Sequence, residues 1–187
     1  MHVPVQLVRV KYRQKNFVVN NSLMISGDTM AINAQQLRKL ITDVLISTNL
    51  YSKDATELLM LTAAQESHAG TYIEQIKGPA LGIFQMEPRT HNDIYESYLK
   101  YKPQLRQIAD MLRISYDFTD EIGDLNLRAN LPYQIVMARI YYMRFSEPLP
   151  KYNDLPSLAY YWKKYWNTSL GKGTVYQAQN NYERYAT

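Results

Sequence analysis

LLMLTAAQESHAGTYIEQIKGPALGIFQMEPRT, residues 58 to 90, joins an apolar helical stretch to a segment punctuated by glycine and proline, and its reading decides the fold. At about 100° per residue, Leu59, Thr62, Ala63 and Glu66 share one side of a helix, being spaced i, i+3, i+4 and i+7. That side is apolar until Glu66. A carboxylate there is partly withdrawn from water, which raises its pKa because the charged form loses more hydration than the neutral one. A proton held near neutral pH suits a general acid. From spacing alone, a structural ion pair with an arginine or lysine accounts for the same position.

Downstream, Gly70 offers a helix stop, and no helical stripe runs between Gly70 and Pro88. Gly78-Pro79 and Gly82 divide that interval into short apolar pieces, the pattern of an irregular loop or small hairpin. Pro88 stands where a helix can begin, with Ile94, Tyr95, Tyr98 and Leu99 on its face, and Pro103 breaks it. Leu105, Ile108, Ala109 and Leu112 mark the next helix, before the acidic stretch Asp117 to Asp124. Leu131 to Phe145 has few polar positions and reads as a central helix. A loop marked by Pro148, Pro150 and Pro156, a helix from about Leu155 to Trp166 and a tyrosine-bearing end from Val175 to Tyr185 follow.

Upstream, Leu37, Leu40, Ile41, Val44 and Leu45 form a helical stripe behind an Asn33–Gln36 capping pair, and a second helix starts near Ser52 or Asp54. These two helices are expected to pack as a hydrophobic floor. Residues 1–30 differ: Val8, Val10 and Tyr12 alternate with Arg9, Lys11 and Arg13, which predicts a short strand with a basic face. The expected organisation is a strand-and-loop N-terminal extension over 1–30, able to dock a virion component or another protein, and a mainly α single domain over 31–187.

With 187 residues and 46% hydrophobic content, the chain can bury one sizeable core. A net charge of +4 favours anionic partners, although the basic residues are scattered apart from Arg9 to Lys15. Nucleic acid is not expected on so short a stripe. Cysteine is absent and the histidines are three, His2, His68 and His91, so neither a metal nor a cofactor is expected. No apolar run reaches the roughly 20 residues of a membrane span, and the start lacks the order of a secretory signal. Tyrosine is frequent at 17 residues, with Trp162 and Trp166 close together, and aromatic faces of this kind stack on sugar rings or fill a core with one wet end.

Four segments in order carry a family resemblance. Glu66-Ser67, then Gly78-Pro79-Ala80-Leu81-Gly82-Ile83-Phe84-Gln85, resembles the lytic transglycosylases of the lysozyme-like superfamily, with a variant similar to phage-encoded members. Gln134 to Tyr142 is similar to the family's Asn-Ile-x-x-Gly-x-x-Tyr-Leu helix, and Ala159-Tyr160 looks like the opening of its Ala-Tyr-Asn motif. Departures are Gln134 for asparagine, Ala138 for glycine, and Tyr161-Trp162 after Ala-Tyr. The resemblance covers about residues 53–170 and implies an α+β lysozyme-like fold whose hairpin lies at a cleft.

It also implies peptidoglycan as substrate and Glu66 as the catalytic acid and base, with Ser67 and Gln85 hydrogen-bonding sugar or ordering the loop, Gln134, Tyr141 and Tyr160 binding substrate, and the Tyr160 hydroxyl near Glu66; the competing role for Tyr160 is a core aromatic beside Leu158. Such a protein is virion-associated or delivered to the periplasm and cell wall. Glu87 stands where goose-type lysozymes of the superfamily carry an aspartate, so it is the candidate second carboxylate for hydrolysis; otherwise it favours the N-terminus of the next helix. Glu74 and Asp93 are weaker candidates. His68, two residues from Glu66, points about 200° away on a helix and is expected at the surface. The rival expectation from another class is a virion scaffold that no longer cuts.

Overall fold

A computed structural model describes residues 32–114 and 122–187. The strand expected in residues 1–30, and most of the acidic stretch after Asp117, lie outside the described residues. Those described form a mainly helical fold: α1 Ala34–Ser47, α2 Lys53–Ser67, α3 Pro88–Asp93, α4 Pro103–Leu112, α5 Ile122–Ala129, α6 Leu131–Met143, α7 Leu155–Trp162 and α8 Val175–Tyr185. Short π-helical turns follow α3 and α7, at Ile94–Tyr98 and Lys163–Asn167. Among the described residues there is no strand longer than an isolated bridge, and the two bridges, Glu74 with Leu81 and Leu81 with Met86, fall in the loop predicted between Gly70 and Pro88.

Local chemistry sets the helix starts. Asn33, Ser52, Asn130, Asp154 and Thr174 each accept a backbone N–H with the side chain, satisfying a donor that the first turn leaves open. Thr174 and Gln177 close a reciprocal capping box. Proline occupies the first turn of α3, α4, α6 and α7, where its missing N–H costs nothing.

Helices α2 and α6 have almost no polar face, so neither can lie on the surface. Leu58 through Ala64 are all buried, as are Tyr133 through Ala138. The fold satisfies both by covering α2 with α1, α6, α7 and α8, and α6 with α1, α2, α4 and α5. The floor expected from α1 and α2 is present, and α8 covers α2 as well. Arg38 links these layers: its guanidinium donates to both carboxylate oxygens of Glu57 on α2, at 2.9 and 3.2 Å, and to the carbonyl of Ala186 at 2.7 Å. Tyr182 of α8 donates to the same Glu57 at 2.5 Å. Bidentate pairing of this kind fixes orientation as well as charge.

Helix α2 ends in a left-handed run, with φ of 51° at His68, 53° at Ala69 and 89° at Gly70. The Ala69 N–H returns to the Ala63 carbonyl at 3.0 Å, closing the last turn. His68 stacks on Tyr185 with ring centroids 4.6 Å apart, so it is half-buried against α8 and away from α2's apolar side.

Gly82 is where the loop meets the helices. Its φ is +74°, and a Cβ there would lie 2.1 Å from the Leu127 carbonyl oxygen and 2.4 Å from Gln134 Oε1. Alanine would face both the left-handed conformation and a backbone atom that cannot yield. Gly82→Ala is expected to lower unfolding free energy by about 2–3 kcal/mol, read from the midpoint of urea denaturation.

Candidate functional site

Glu66 sits one residue before the end of α2, in the floor of an open cleft of about 550 Å³. Gln85, Met86, Glu87 and Thr90, from the loop and the start of α3, line one part of it; Tyr141, Trp166, Asn167 and Gly171 to Gly173 line another. Volume and mixed lining suit a ligand of small-oligomer size.

The carboxyl of Glu66 is held by a buried indole: Trp162 Nε1–H donates to Glu66 Oε1 at 2.9 Å. Burial raises the Glu66 pKa from 4.5 to about 7, and the Trp162 bond, which favours the ionised form, opposes part of that rise. The C-terminal end of a helix, carrying partial negative charge, also disfavours a carboxylate. Among the described residues Glu66 enters no ion pair, so the structural pairing that its spacing left open is not formed. Beneath it, Thr62 and Tyr142 share a 2.8 Å hydrogen bond, and burial raises the Tyr142 pKa well above its usual value.

The cleft loop is fixed to this helix end by Ser67. Its side chain is fully buried, donates to the Ile83 carbonyl at 2.6 Å and accepts from the Gly70 N–H at 2.9 Å. Of the two roles expected of Ser67, the buried position fits loop ordering and leaves no surface for a sugar. Gln134, expected to bind substrate, is only 3% exposed and does not line the cleft; it accepts from the Ile83 N–H at 2.8 Å with Oε1, which holds the loop to α6.

Gln85 lies in the cleft, with a left-handed φ of 48° and its side-chain amide donating to the Gly82 carbonyl at 2.7 Å. The Leu81–Met86 bridge, two 3.0 Å hydrogen bonds, closes the turn that forces this conformation. Tyr141 also lines the cleft; its hydroxyl donates to the Tyr165 carbonyl at 2.6 Å, and its ring meets Trp166 edge-on at 4.7 Å.

Tyr160 is misplaced by the motif match. It is 60% exposed and borders a separate depression with Pro148, Pro156 and Tyr161. Two residues along a helix is a turn of about 200°, so when Trp162 faces Glu66, Tyr160 faces solvent. The place beside Glu66 expected for the Tyr160 hydroxyl is taken by the Trp162 indole.

Glu87 is the N-cap residue of α3 but makes no side-chain capping bond, and it lines the cleft with Glu66. Glu74 and Asp93 are committed elsewhere, to Arg128 at 2.5 Å and Arg144 at 2.7 Å. Arg144 holds the Asp93 carboxyl below the usual carboxylate range. Trp166, Asn167 and Lys172 were not predicted as site residues. Trp166 lies at the end of a π-helical turn, where a pattern read at 100° per residue loses phase.

Among the described residues no group of three or more His, Asp or Glu side chains could hold a metal ion, and no helix is long and apolar enough to cross a membrane. Compared with family models, curated proteins and solved structures, the chain matches none.

The folded state binds a proton at Glu66 more tightly than the unfolded chain does. This contribution is present in full below about 4.5 and lost as pH rises through about 7. Glu66→Gln is therefore expected to flatten the stability profile between those values, gaining on the order of 2 kcal/mol relative to wild type at the alkaline end, read by denaturant titration. Trp162→Phe removes the donor that favours the carboxylate and should move the titration of Glu66 upward, observable in carboxyl NMR shifts.

Proposed function

We propose that this chain is a peptidoglycan-cleaving lytic transglycosylase on a lysozyme-like scaffold. The observation that carries the reading is one carboxyl, Glu66, in the floor of an open cleft, hydrogen-bonded by an indole and pushed by burial to a pKa of about 7, so that it exchanges its proton near neutral pH. The ordered motifs supply the substrate, the β-1,4 bond between N-acetylmuramic acid and N-acetylglucosamine.

The chemistry follows from that proton. Cleavage passes through an oxocarbenium-like state, so the leaving oxygen needs an acid. Glu66 gives its proton to that oxygen as the bond to the anomeric carbon breaks, aided by the neighbouring N-acetyl group of the substrate. The resulting carboxylate then takes the proton of the sugar's own 6-hydroxyl as its oxygen bonds to the anomeric carbon. Glu66 is reprotonated and a 1,6-anhydro end is left; no water is consumed. A group titrating near the working pH can do both steps.

Hydrolysis is the second reading, favoured by the presence of Glu87 in the same cleft. A second carboxylate about 6.5–9.5 Å from the acid would leave room for the attacking water of an inverting enzyme. In either case residues 1–30 serve as the docking extension, with the protein associated with a virion or otherwise delivered to the cell wall.

Product analysis on cell-wall sacculi is the test. Wild type should release muropeptides with anhydro ends, and Glu66→Gln should lose at least about 100-fold in rate, the scale of a lost general acid. Glu87→Gln should leave anhydro products unchanged. Products heavier by one water, lost on Glu87→Gln, would reassign the protein as a hydrolase; sacculus binding without turnover by wild type would make it a scaffold.

A further inference from the structure

Among the described residues, the charged side chains lining the cleft are Glu66, Glu87 and Lys172. Lys172 is exposed and, among the described residues, enters no ion pair. Its placement is built. Lys163 donates to Asn167 Oδ1 at 2.6 Å and to the Gly171 carbonyl at 2.9 Å, tying the base of the segment to the end of α7. On either side of Lys172 the backbone has no room for a side chain. A Cβ on Gly171 would lie 2.3 Å from the Asn167 carbonyl oxygen, and one on Gly173 would lie 2.7 Å from the ring of Trp162. The segment is thus pressed against the indole that holds Glu66, and it presents a cation at the part of the cleft that also carries Trp166.

The two sugars of the proposed substrate differ at one place. Muramic acid bears an ether-linked lactyl group ending in a carboxylate, or in a peptide with its own carboxylates; N-acetylglucosamine bears none. On the strength of the glycan-cleaving reading, we propose that Lys172 reads that carboxylate and so sets the muramic acid on the Trp166 side of the cleft. A flexible ammonium is suited to this, because it acts as a point charge and tolerates a substituent of variable length. Glu87, on the loop side, disfavours the same anion there.

Binding by Glu66→Gln, which leaves the glycan uncut, tests this. Isothermal titration compares an oligomer of alternating N-acetylglucosamine and N-acetylmuramic acid with a chito-oligomer of equal length. The muramyl oligomer should bind about 3- to 5-fold more tightly, the difference shrinking at high ionic strength, as expected of an exposed charge pair. Adding Lys172→Gln should erase the difference, and Lys172→Arg should keep it. Preference confined to peptide-free oligomers identifies the lactyl carboxylate as the group read; preference confined to peptide-bearing ones identifies the peptide's. Equal affinities, or a difference that survives Lys172→Gln, would overturn the role of Lys172 and leave glycan cleavage standing. Failure of both oligomers to bind, with no turnover of sacculi by wild type, would overturn both.

Discussion

One residue, Ile83, has both of its backbone polar groups held by side chains: Ser67 donates to its carbonyl and Gln134 accepts from its N–H, at 2.6 and 2.8 Å. Both side chains are buried, so water cannot replace either partner, and breaking either bond would leave a polar group unsatisfied in the core. The clamp joins the end of α2, the start of α6 and the cleft loop. Because Ser67 directly follows Glu66, the distance between the acid and the loop is set by this arrangement. Gly82 is required beside it, since the loop approaches Leu127 and Gln134 too closely for any side chain.

The second constraint acts from the other side. Helix α2 is apolar nearly all round and is covered by four helices, yet its last turn must leave a carboxyl open to the cleft. Trp162, fully buried on α7, resolves this by offering one N–H to one oxygen. A single neutral donor satisfies the group without supplying a charge, so the acid keeps a high pKa where a lysine or arginine would have pulled it down. The other charged candidates illustrate the contrast: Asp93 and Glu74 have cationic partners and are held as structural groups.

Helical periodicity was legible in most of the chain because caps, prolines and apolar stripes are local signals; α5 was not predicted, and the helices expected to run on from Pro88 and to Trp166 give way to π-helical turns at Ile94–Tyr98 and Lys163–Asn167. The position of Glu66 on an apolar face was legible for the same reason. Which neighbours it acquires was not. Gln134 and Ser67 read as sugar ligands because the motif gives residue types without burial, and a hydroxyl or amide serves a buried backbone group as readily as a substrate. The aromatic run from Tyr160 to Trp166 carried too little phase information: two adjacent tyrosines and two tryptophans fit several helix rotations, and the π-helical turn at Lys163–Asn167 alters the phase midway.

The sequence by itself determined a mainly helical domain, the starts of most of its helices, the irregular loop after Gly70 and an acid on the apolar side of α2, all consequences of interactions within a few residues. Tertiary structure alone decided that an indole and not a phenol meets the acid, that Glu87 leaves its cap unmade and lines the cleft, and that Lys172 stands uncommitted at the cleft's other part. The indole contact and the place of Lys172 depend on how α7 and the segment after it pack on α2, about a hundred residues away in the chain, and the place of Glu87 depends on how the loop is pinned to the end of α2, so local periodicity carries no information on them.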